Sequence, residues 1–131
     1  METQTPVSRM RSPVARPPIY TVLVEVVGWT LDRTAEIPKS QRFTFGQRLD
    51  NLALGALQET VKAIFASEAR RKQECLDELL LTLEQMQVLW RLAHDRRWLS
   101  QGQLLFINQR LDEVGRMANG WRRQQAAKVK A

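Results

Sequence analysis

The stretch Lys72–Arg97, KQECLDELLLTLEQMQVLWRLAHDRR, decides the fold. Leu76, Leu79, Leu83, Met86, Trp90 and Ala93 follow one another at alternating spacings of three and four. That is the heptad seam of a helix packed lengthwise on another helix. Leu81, Val88 and Leu92 form a second apolar line on the same segment.

The rest of the chain repeats the pattern. A first helix is expected from about Ile19 to Thr34, with Pro18 suited to its first position. Ile19, Val22, Leu23, Val26 and Thr30 make one stripe, and Tyr20, Val24, Val27 and Leu31 make a second beside it. Pro38 separates this helix from the next, which starts at Ser40 or at Thr44 and runs to about Ala66. Thr44 and Gln47 have the capping-box spacing, but Ser40 is an equal candidate for the start. Leu49, Leu52, Ala53, Ala56 and Leu57 share a face, followed by Val61 and Ile64. A fourth helix is expected from about Ser100, a good N-cap, to Arg123. Leu104, Ile107, Leu111, Val114, Ala118 and Trp121 keep the three-four alternation, with Leu105, Phe106 and Met117 off the seam.

No useful strand-like alternation occurs, so the expected fold is all-α, an antiparallel up-down four-helix bundle. Residues 1–17 read as a disordered basic arm, 18–123 as the bundle and 124–131 as a basic tail that frays from the last helix. The doubled stripes exceed what one bundle core can hide, which predicts a homo-oligomer. Gly28, Gly46, Gly55 and Gly115 fall in or near helical patterns, where each costs about 1 kcal/mol relative to alanine. Close helix approach is the expected compensation.

Catalytic chemistry has little to work with. The chain has one cysteine, Cys75, and one histidine, His94. Arg91 stands three residues before His94, so the Glu-x-x-His pair of a di-iron bundle is missing. Cys75 and His94 lie about five turns apart on one helix and cannot act together within a subunit. Cys75 reads as a small buried hydrophobe and His94 as a helix-end residue. There is no Gly-x-x-x-x-Gly-Lys phosphate loop. The expectation is a non-enzyme with no cofactor and no metal. The start of the chain lacks a continuous apolar core, and the run IYTVLVEVVGW is too short to span a bilayer, so a cytoplasmic protein with no membrane partner is expected.

Charge is the more informative signal. The net charge of +6 lies wholly in the two termini, because residues 18–119 carry 13 basic and 13 acidic side chains. Folded as a bundle, however, the basic residues gather at its ends. Lys39, Arg42, Arg91, Arg96 and Arg97 fall at one end, with Arg48 in the neighbouring helix start. Arg70, Arg71, Lys72, Arg122 and Arg123 fall at the other. Such clusters suit phosphate, and Trp98 beside Arg96 and Arg97 could stack on a base or cap the bundle. The segment IPKSQRFTFGQRL, residues 37–49, is a puzzle: it holds Lys39, Arg42 and Arg48 and no acid at an expected helix start, where the macrodipole disfavours cations.

Pro38-Lys39-x-x-Arg42-Phe43 with Gly46, and Leu111-Asp112-Glu113-Val114-Gly115-Arg116-Met117 with Gly120-Trp121, resemble the accessory variability determinant (Avd) of diversity-generating retroelements. The wider family includes four-helix proteins encoded in intervening sequences of bacterial 23S rRNA genes. The resemblance covers about residues 18–123. It implies a homopentameric barrel of four-helix subunits that binds nucleic acid, RNA or DNA, and associates with the retroelement's reverse transcriptase. That complex copies template RNA with adenine-directed errors, and the cDNA diversifies a target gene. The accessory protein itself is implied to be non-catalytic. A strongly basic barrel is expected of the family, whereas this body is neutral, which shifts attention to its ends and arms. The other readings are an rRNA-linked intervening-sequence protein of the same fold and a structural oligomer that binds only protein.

Overall fold

The computed structural model of the protein describes residues 17–130. The expected basic arm lies outside the described residues except for Pro17. Four long helices and no strand occur among the described residues: α1 (Pro18–Thr34), α2 (Gln47–Phe65), α3 (Ala69–Asp95) and α4 (Gln101–Lys130). A helical turn, Lys39–Gln41, and a π-helical turn, Arg42–Gly46, lead into α2. Consecutive helices pack side by side, and α4 returns to α1 to complete a four-helix bundle.

The α3 seam is the core. Leu76, Leu79, Leu83, Met86, Trp90 and Ala93 are all buried. Against it lie Ile19, Leu23, Val26 and Val27 of α1, and Ile107, Leu111, Val114 and Ala118 of α4. The expected stripe on α2 holds through Leu49, Ala53 and Ala56, then continues through Thr60 and Ala63. Val61 and Ile64, expected on that face, are only partly buried beside it. Thr60 is tolerated there because its hydroxyl donates to the Ala56 carbonyl at 3.0 Å. Trp29 meets the fully enclosed Trp90 edge-on, with ring centres 5.2 Å apart, and Phe106 packs on Trp29 at 5.6 Å.

Helix boundaries follow local chemistry. Pro18 stands at the first position of α1. Ser100 caps α4 in a reciprocal box: Gln103 N–H donates to Ser100 Oγ at 3.1 Å, and Ser100 N–H to Gln103 Oε1 at 2.9 Å. Neither expected start of the second helix forms a cap. The helical run begins at Lys39 after Pro38 without a side-chain cap, and Thr44, already inside it, uses its hydroxyl on the Gln41 carbonyl at 3.4 Å. α4 passes its expected end at Arg123 and continues to Lys130. Gln124–Lys128 are good helix formers with no glycine or proline, and Gln125 is buried.

Most of the second apolar lines are turned outward, although Val27 of the α1 line is buried in the core. Val24 and Leu31 on α1, Leu54 and Phe65 on α2, Leu81, Val88 and Leu92 on α3, and Leu105 on α4 are all exposed. The close-approach reading of the glycines fails within the subunit: a Cβ at Gly28, Gly55 or Gly115 would meet nothing within 4 Å, and one at Gly46 would make ordinary contact with Thr34 at 3.8 Å.

Candidate nucleic-acid and partner interface

Up-down topology sorts the basic residues into two ends. The double-turn end holds the α1–α2 and α3–α4 connections, which meet where Phe45 packs edge-on against Trp98 at 5.3 Å. The single-turn end holds the α2–α3 connection and the later turns of α4, which meet where Lys72 Nζ lies 5.9 Å from the Trp121 ring centre. The expected grouping therefore forms: Lys39, Arg42, Arg48, Arg91, Arg96 and Arg97 at the first end, and Arg70, Arg71, Lys72, Arg122 and Arg123 at the second.

Arg42 resolves the charge puzzle of IPKSQRFTFGQRL. Its guanidinium reaches back and donates to the carbonyls of Ala35 at 3.1 Å and Ile37 at 3.4 Å. It thus serves the carbonyl-rich, negative end of α1 rather than opposing the positive end of α2. That positive end has its own acid: Asp50, in the first turn of α2, accepts from Thr34 Oγ1 at 2.6 Å. Lys72 does the same at the opposite end, where its ammonium donates to the carbonyls of Ala63 at 2.7 Å and Ile64 at 3.3 Å, the last turn of α2. Both cations join consecutive helices.

Other basic side chains are held in the shell of the subunit. Arg122 pairs with Asp77 across α4 and α3. Arg71 pairs with Glu74 at 3.3 Å, and Arg91 with Asp95 at 3.7 Å. Arg96 lies over the Trp98 ring at 5.3 Å. Trp98 is half-buried between Phe45 and Arg96, so it closes the bundle end and its ring is already covered. Among the described residues, Lys39, Arg48, Arg70, Arg97 and Arg123 make no side-chain hydrogen bond or ion pair, and all five are exposed.

Several features escaped sequence reading. Arg110 bridges Glu25 of α1 and Glu113 of its own helix, both at 2.9 Å. The hydrogen bond to Glu113, then the charge of Glu25, holds its guanidinium protonated beyond its ordinary range, against some desolvation. The Glu113 partner, three residues on, is a helical spacing the sequence offers, but Glu25 lies 85 residues away and no pattern announces it. The two phenylalanines of the α1–α2 turn part company: Phe45 packs inward and Phe43 is 83% exposed. Arg97 adopts φ 65°, the left-handed conformation that glycine usually supplies at a helix C-terminus. The Arg97 N–H bonds the His94 carbonyl and the Trp98 N–H the Ala93 carbonyl, both at 2.9 Å, which defines a Schellman turn closing α3.

Cys75 is buried, and desolvation pushes its thiol pKa above the ordinary value. Among the described residues no group of three His, Cys, Asp or Glu side chains could hold a metal ion, and no helix is long and apolar enough to cross a membrane.

A family model described as bAvd-like matches residues 20–125, which takes in all of α2 and α3 and most of α1 and α4. Searches of curated proteins and of solved structures find no match.

Proposed function

The chain belongs to the bAvd-like family, an accessory and non-catalytic kind of protein, and from that premise we propose that it serves a diversity-generating retroelement as an oligomeric partner of the reverse transcriptase. In this reading it acts in the cytoplasm, binds the polymerase together with template RNA or cDNA, and supports the mutagenic copying that diversifies a target gene. The observation that carries the reading is the family match over residues 20–125.

The side chains supply the physical means. Arg42 and Lys72 are occupied in holding the bundle together. Lys39, Arg48 and Arg97 at the double-turn end, with Arg70 and Arg123 at the single-turn end, are left to meet an outside anion. Lysine and arginine contacts to phosphate give binding that weakens steeply with salt. The exposed lines on α1, α2 and α3 support self-association. Leu81, Val88 and Leu92 repeat at seven and four residues, as Leu54, Val61 and Phe65 do, and this is the spacing of a second helix-packing seam. The homopentamer implied by the sequence resemblance would use such seams. The open sites at Gly28, Gly55 and Gly115 leave room for a neighbouring copy.

Co-expression with the reverse transcriptase encoded beside this chain, followed by affinity purification at low salt, tests the proposal. The expected result is co-elution of chain, enzyme and template RNA. Association with neither would overturn it, and selective recovery of ribosomal RNA would move the chain to the rRNA-linked branch of the fold. Light scattering reads the oligomer, and Leu54→Glu with Val88→Glu is expected to reduce its mass.

A further inference from the structure

Phe43 has the greatest exposure of any large apolar side chain among the described residues. It lies in an irregular turn of the helical run. Residues Arg42–Gly46 form a π turn, in which the Gln47 N–H bonds the Arg42 carbonyl five residues back. Such turns cost regular helix geometry and recur at functional sites. Within it Phe45 packs inward onto Trp98, and Phe43 stands in solvent.

The surroundings of Phe43 are polar and basic. Lys39 stands four residues before it and Arg48 five after, on the same short helical run, and all three side chains are exposed. Ser40, Thr44 and Gln47 around them are exposed. No acid occurs between Glu36 and Asp50, and both of those are engaged, Glu36 with Arg33 at 3.6 Å and Asp50 with Thr34. A protein-docking surface would need a cluster of apolar side chains that could be buried together. One bare ring flanked by free cations is the minimal equipment for a base stacked on an aromatic face with its backbone on positive charge.

We propose that Phe43 is a stacking platform for one unpaired base of a single-stranded nucleic acid, with Lys39 and Arg48 on the phosphates to either side. The proposal rests on the nucleic-acid part of the function above and adds to it a strandedness and a contact residue. A paired base offers no free face, so Phe43 serves single strands, while Lys39 and Arg48 serve duplex and single strand alike.

The test is fluorescence anisotropy with labelled oligouridylate and with a blunt RNA duplex of equal length, using the full chain across a salt series. Phe43→Ala is expected to weaken oligouridylate binding about tenfold, with the salt slope and the duplex affinity unchanged. Phe43→Trp is expected to retain binding, with its fluorescence quenched by the stacked base. Lys39→Gln with Arg48→Gln is expected to weaken both ligands and flatten both slopes. If Phe43→Ala leaves oligouridylate binding intact while the double charge variant weakens it, the platform is overturned and the phosphate contacts stand. If Phe43→Ala lowers the oligomer mass in light scattering, Phe43 is a contact between copies and the proposal is overturned. If the unmodified chain binds neither ligand at low salt, the platform and the nucleic-acid reading beneath it both fail.

Discussion

The two ends of the bundle carry similar charge but use it differently. At the single-turn end, Lys72 closes α2, Arg71 and Arg122 pair with Glu74 and Asp77, and Arg70 and Arg123, with Lys128 and Lys130 on the last turn of α4, remain without a partner among the described residues. At the double-turn end, Arg42 closes α1, but Lys39, Arg48 and Arg97 are free, and an exposed Phe43 stands between two of them. The double-turn end also concentrates the local irregularities: a π turn, and a non-glycine residue at positive φ. Cation number alone therefore says little about where an anion binds. What sets the double-turn end apart is the exposed Phe43 ring beside its free cations.

The largest expected effect probes what the ends share. Lys72→Ala removes a charged donor from two carbonyls of the last turn of α2, and Arg42→Ala removes one from the α1 C-cap carbonyl of Ala35 and the loop carbonyl of Ile37. Each is expected to cost about 2 kcal/mol in urea unfolding, because hydrogen bonds to charged groups are worth about 1.5–3 kcal/mol. A loss below 0.5 kcal/mol, on the scale of the roughly ±0.5 kcal/mol seen for plain surface changes, would mean that these cations are not joining helices.

A smaller effect of opposite sign distinguishes the ends. Arg97→Gly relieves the positive φ and is expected to raise stability by about 1 kcal/mol, while weakening binding to RNA. No equivalent substitution exists at the single-turn end, since among the described residues Arg97 alone combines a side chain with positive φ. Stabilisation without any change in RNA binding would remove Arg97 from the interface and leave its conformation unexplained.

Arg122→Gln should scarcely register, at about 0.5 kcal/mol or less, because exposed ion pairs contribute little. A large loss would show that the single-turn end depends on Asp77 and Arg122 more than their exposure suggests. The least effect belongs to Cys75, also towards that end. Its folded pKa is raised, so the folded chain keeps its proton in alkali while the unfolded chain releases it above about pH 8.5. Stability should therefore decline as pH rises past that value, and Cys75→Ala should flatten this part of the pH profile, whatever its effect at neutral pH.

The bundle was legible because its signal is periodic. Leu76 to Ala93 and Leu104 to Trp121 announce their buried faces by spacing, and every member of the α3 seam is enclosed. Periodicity also placed both ends, since up-down topology follows from helices joined by short connections. It could not assign tasks to individual cations. Arg42 contacts carbonyls seven and five residues away, and Lys72 contacts carbonyls nine and eight away; these reaches depend on how the chain turns at Pro38 and at Ala66–Glu68, which no repeat encodes. Phe43 and Phe45 look alike in sequence, and the helical run points residues two apart to different faces, one onto Trp98 and one to solvent. The last turns of α4 are poor in large apolar residues, so their sequence reads as a fraying tail. Helix propensity and the burial of Gln125 instead carry them to Lys130.

The most direct test of the account compares the ends in one titration. Salt-dependent binding of single-stranded RNA would be measured for Lys39→Gln/Arg48→Gln/Arg97→Gln and, with equal charge removed, for Arg70→Gln/Arg123→Gln/Lys128→Gln, with the oligomer mass checked for both. The account predicts a loss of tenfold or more and a flatter salt slope for the first variant, about 1 kcal/mol or more of lost binding by the usual conversion, and a much smaller change for the second. Equal losses, or a greater loss at the single-turn end, would contradict it.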